Sequence, residues 1–154
     1  MGLWNTIKGW LNIGGVKVEI EGVNPMVPRN GDEVTGKVLL TSKSDKEVQK
    51  ITYKLLLRKT TGRGQDRKTK DFILGQSSYN QPFTIKAGET KTFDFTIPYS
   101  VERGLKDMGG ALGTVGKIAA FAVAEKLEYM VLAECSVKGT ALSPWNKVDV
   151  QIVD

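Results

Sequence analysis

The sequence predicts an all-β, antiparallel sandwich of about eight strands, with a short N-terminal amphipathic helix and one inserted helix near 105–126. Three observations carry that prediction. Apolar and polar residues alternate in run after run, as they do in strands that bury one face. Turn-forming clusters separate the runs. Helical periodicity surfaces in only two places.

Taken in order, the runs begin with Val16, Val18 and Ile20, then Val34, Val38 and Leu40. The longest and most aromatic run holds Ile51, Tyr53, Leu55 and Leu57, and is followed by Phe72 with Leu74, by Phe83 with Ile85, and by Phe93, Phe95 and Ile97. The last two runs are Tyr129, Val131, Ala133, Cys135, Val137 and then Val148, Val150, Ile152. Turns are expected at Pro25 to Gly31, Ser42 to Lys46, Thr61 to Gln65, Ala87 to Glu89 and Leu142 to Pro144. Met1 to Asn12 gathers Leu3, Trp4, Ile7, Trp10 and Leu11 within roughly 120° of a helical wheel, which predicts an amphipathic helix over 1–12. Leu105 to Leu127 carries Leu105, Met108, Leu112, Val115, Ala119 and Val123 at helical spacing. Its glycines each cost about 1 kcal/mol relative to Ala, so this helix needs a sheet to pack on.

With 154 residues, 40% of them hydrophobic and 25% charged, the chain has the composition of one globular domain, expected to occupy 13–154 after the helix. A single cysteine, Cys135, excludes an internal disulfide and favours a reducing, cytoplasmic setting. No run reaches the about 18 uncharged apolar residues of a membrane span, and the first residues lack a signal-peptide pattern. Histidine is absent, which removes Ser/His and Cys/His nucleophilic pairs and nearly all zinc-site types. Gly109 to Ile118 imitates a phosphate loop but holds Ala111 and Ile118 where that loop needs Gly and Ser or Thr. No catalytic residue, metal ligand or cofactor is therefore assigned, and the expectation is a protein that is not an enzyme.

The strongest chemical feature is basic. Arg58 to Lys70 contains Arg58, Lys59, Arg63, Arg67, Lys68 and Lys70 against one acid, Asp66, so this segment carries +5, as does the whole chain. Such a localised loop suits phosphates, anionic lipid headgroups or acidic peptides. The competing reading is a solvated hairpin tip. Nucleic acid is disfavoured as a partner because no aromatic side chain is interleaved to stack on bases. Cys135 sits on an inward strand position and is expected to be a buried, inert thiol.

Several segments resemble a known family. Asn30 to Ser42 (NGDEVTGKVLLTS), Thr92 to Ser100 (TFDFTIPYS) and Tyr129 to Gly139 (YMVLAECSVKG) resemble, in that order, strands of arrestin-like, immunoglobulin-like sandwiches. The opening helix followed by Asn12 to Glu19 (NIGGVKVE) is similar to the bacterial sporulation-control branch of that superfamily, closest to its N-terminal domain. The resemblance implies a non-enzymatic adaptor or regulatory scaffold that binds protein partners through sandwich edges and loops. Arrestins pair two sandwiches and this chain has length for one, so no phosphate-sensing core is carried over. The alternative is a peripheral protein at the inner face of the membrane, using the helix residues Leu3, Trp4, Ile7, Trp10 and Leu11 with the basic hairpin. Candidate partners are thus a protein, an anionic membrane surface and a second copy of the chain.

Overall fold

The computed structural model describes residues 15–62, 68–101, 126–140 and 143–153. Nine strands run through them: β1 Val16–Glu21, β2 Met26–Pro28, β3 Glu33–Ser42, β4 Lys46–Thr61, β5 Lys68–Tyr79, β6 Phe83–Ile85, β7 Thr90–Pro98, β8 Lys126–Val137 and β9 Trp145–Val153. They form a three-stranded sheet, β1-β3-β7, and a six-stranded sheet, β2-β9-β8-β4-β5, in which β6 pairs with the start of β4. The alternating residues explain the two layers. Val16, Val18, Val38, Leu40, Phe95 and Ile97 point from the small sheet into a shared core. Ile51, Tyr53, Leu55, Leu57, Val131, Ala133 and Cys135 meet them from the large one. Each fully buried Val, Leu or Ile contributes about 1.5–3 kcal/mol, so this interior is what holds the sheets face to face.

Glycine serves the packing at two core positions. Gly36 pairs with Phe95, and a Cβ there would lie 2.7 Å from Phe95 Cζ; its absence lets the ring lie over β3 and stack on Tyr53. Gly75 follows a register shift at Leu55/Leu56, where β5 inserts Leu74 as an extra residue. Leu74 and Gly75 consequently both face the small sheet, as two successive residues do at a bulge. A Cβ on Gly75 would collide with the Pro98 carbonyl and approach Tyr99 Cβ to 2.7 Å.

Three expectations need correction. Pro25 to Gly31 is not all turn, because Met26–Pro28 is a strand that runs parallel to β9, Met26 opposite Gln151 and Pro28 opposite Val153. It lies at the sheet edge, where proline's missing N–H is tolerated, and Val27 is buried in the core. The sandwich is therefore not wholly antiparallel. Lys126 and Leu127, expected to close the inserted helix, are instead the first residues of β8, paired with Thr60 and Lys59. The rest of the segment expected to be helical, 105–125, and the helix expected over 1–12 lie outside the described residues.

Candidate functional site: the basic β4–β5 hairpin

The β4 strand is the spine of the large sheet, flanked by β8 on one side and by β5 on the other as far as Thr61 and Lys68. Gly62 then turns the chain with a φ of 83°, the left-handed region that glycine adopts without strain. Arg63 and Arg67 lie beyond it, outside the described residues. Arg58, Lys59, Lys68 and Lys70 are on the two strands, and the register sorts them by face.

Leu57 and Phe72 are opposite each other and both point into the core. One step further along, Arg58 faces Asp71 on the reverse side of the sheet. The guanidinium donates Nε–H to Oδ1 at 2.8 Å and Nη2–H to Oδ2 at 3.1 Å, a two-point match of fork to carboxylate. These hydrogen bonds, against a smaller opposing effect of burial, raise the Arg58 pKa and hold the Asp71 carboxyl below its usual range. Glu128 is the other cross-strand neighbour of Arg58, and Lys126 lies 3.6 Å from Glu128. That side of the hairpin is thus a balanced set of charges, and Arg58 is largely neutralised.

The other side is not balanced. Lys59 stands directly opposite Lys70, and Thr61 opposite Lys68, so the three ammonium groups share the core-side face where it runs past the end of the core. Like charges placed opposite each other in a ladder repel and cost stability. None of the three forms an ion pair with a described residue; Lys70 Nζ lies 5.2 Å from the centroid of the Phe72 ring. Lys68 and Lys70 are exposed and Lys59 is half-buried. Arg29 adds charge near this end: burial raises the Tyr129 phenol pKa and the positive charge of Arg29 opposes the shift, while Tyr129 pairs with Leu57.

Residues 8–119, a span that contains this hairpin, match the model of the SpoOM protein family. The chain belongs to that family. The fold also matches the crystal structure of Spo0M, sporulation control protein, from Bacillus subtilis, with a TM-score of 0.63 and 20% identity over 92% of this chain and 51% of that one. At that identity the likeness speaks for the sandwich, and the chain spans about half the length of that relative. No curated protein matches the chain.

Within this SpoOM sandwich, sequence reasoning named four hairpin residues that the strands display and grouped them as one site. The structure divides them, Lys59, Lys68 and Lys70 on one face and Arg58 with Asp71 on the other. Asp71 was missed because it stands one residue past the basic run. The signal was present, since two inward residues, Leu57 and Phe72, fix a register that puts Asp71 against Arg58. Arg29 had no such signal. Leu3, Trp4, Ile7, Trp10 and Leu11 lie outside the described residues. Among the described residues no group of His, Cys, Asp or Glu is arranged to hold a metal ion, and no helix is long and apolar enough to cross a membrane.

Proposed function

We propose that this chain is a non-enzymatic regulatory module that receives an anionic surface of a protein partner on the lysine face of its β4–β5 hairpin. Membership of the SpoOM family, and the sporulation control for which its Bacillus subtilis relative is named, support a regulatory role. The observation that carries the site is the face bearing Lys59, Lys68 and Lys70, three cations with no carboxylate partner among the described residues. A protein that kept these lysines only for solubility would gain nothing from opposing two of them in one ladder pair, where their repulsion costs stability. An incoming anion relieves that repulsion as it binds.

The test is titration of the full chain with fluorescent polyglutamate at several salt concentrations. Replacing Lys59, Lys68 and Lys70 together by Gln should abolish most of the binding and flatten its salt dependence, because exposed charge attraction is what salt screens. Equal binding by the triple variant would remove the site.

A further inference from the structure

Among the described residues the β5 strand is the last in the large sheet, and they cover its outer side only in part. Contact there begins at Leu74, whose carbonyl accepts the Ser100 N–H at 3.0 Å, and at Gly75, which bridges to Tyr99. From Lys68 to Ile73 no described strand lies alongside. A strand edge turns every second N–H and C=O outward, which makes it a template for another extended chain. The side chains flanking this stretch are distinctive. Lys68 and Lys70 alternate along one face with Lys59 behind them on β4, while the opposite face presents Ile73, 47% exposed, beyond the neutralised Arg58 and Asp71 pair.

We infer that the edge of β5 from Lys68 to Ile73, which no described strand pairs, is a strand-addition site for an extended acidic segment of a protein partner. Three features select this occupant. Alternate residues of a strand are about 6.6 Å apart, so carboxylates on every second residue of an added strand fall opposite Lys68 and Lys70 in step. The residues between them point to the other face, where an apolar side chain covers Ile73. Lysines on an edge also repel a second copy of the same edge, so the charges that guard against self-pairing favour a partner of opposite sign. An anionic bilayer could satisfy the lysines but would leave the backbone groups of the edge unused.

This inference rests on the lysine face as an anion site and adds the edge to it, and the experiment separates the two. The probe is a fluorescent peptide of roughly ten residues alternating Glu and Val, compared with the same peptide methylated at alternate backbone nitrogens. Anisotropy titration of the full chain should show that methylation weakens binding about tenfold or more, and that the K68E/K70E variant does the same. Hydrogen exchange should show protection of β5 amides between Lys68 and Ile73 on addition of the unmodified peptide. Equal affinity for the methylated peptide, with the lysine dependence intact, overturns strand addition and leaves the anion face standing. Loss of lysine dependence as well overturns both. Two further outcomes count against the edge: dimerisation of the free chain through β5, seen by sedimentation, and lysine-dependent binding to phosphatidylserine vesicles that the peptide fails to displace.

Discussion

Tyr53 and Phe95 stack across the two sheets, their ring centroids 4.7 Å apart and their planes 14° from parallel. The stack places the Tyr53 hydroxyl inside the core, where it has no hydrogen-bond partner among the described residues. Burial, reinforced by Cys135 and Tyr79, raises its pKa well beyond the ordinary phenol range. An unsatisfied buried hydroxyl costs about 1–3 kcal/mol. Tyr53→Phe should keep the stack and leave stability unchanged or raise it by about 1 kcal/mol in urea denaturation. A loss of that size would mean the hydroxyl is bonded after all.

Gly75 offers a sharper case, because its constraint comes from a neighbouring backbone. Gly75→Ala should destabilise by roughly 1–3 kcal/mol or more, since the Pro98 carbonyl cannot move aside as a side-chain tip would. Gly88 has a φ of 78° and nothing within 4 Å of an added methyl, so Gly88→Ala probes backbone strain alone and serves as the control. A smaller loss at Gly75 than at Gly88 would show that the bulge relaxes.

Cys135 is fully buried, and burial, with Glu134 adding to it, pushes its thiol pKa up to about 12. Reaction with a thiol reagent at about pH 8 should be negligible in the native chain and immediate in denaturant, because only the thiolate attacks. The same shift favours folding below the unfolded thiol pKa of about 8.5, and that contribution is lost as pH rises toward about 12. Cys135→Ala should therefore flatten the alkaline limb of a stability profile, and rapid native labelling would contradict the burial.

How much of this was legible in the sequence depends on the reach of each signal. The eight expected strands were legible because alternation is local: Ile51, Tyr53, Leu55 and Leu57 declare a buried face without reference to anything else. β2 was not, because Met26, Val27 and Pro28 become a strand only by lying against β9 at the other end of the chain. The bulge at Leu74 likewise exists only relative to β4. For the site, Lys68 and Lys70 share a face by simple parity, whereas placing Lys59 with them and Arg58 against Asp71 required the pairing register. Counting charge along the chain therefore found the hairpin and mistook its faces.

That division of faces yields the most discriminating variant. Arg58 and Asp71 cancel each other on the side away from the lysines, so removing both as R58Q/D71N leaves the net charge at +5 and the lysine face intact. Polyglutamate affinity should stay within about twofold of the parent, whereas K59Q/K70Q, which takes two charges from the lysine face, should weaken it several-fold, on the order of 1 kcal/mol. The pair also predicts a pH effect with a definite sign. Because the folded Asp71 carboxyl titrates below its usual range, its contribution to stability is complete above the unfolded carboxylate pKa of about 3.9 and is lost as pH falls through the lower folded value. Both side chains are about a third exposed, which limits that contribution to about 1 kcal/mol or less. R58Q/D71N should accordingly flatten the acid limb slightly while sparing anion binding at neutral pH. A double variant that loses polyglutamate as K59Q/K70Q does would show that both faces of the hairpin hold the anion, and would return Arg58 to the site.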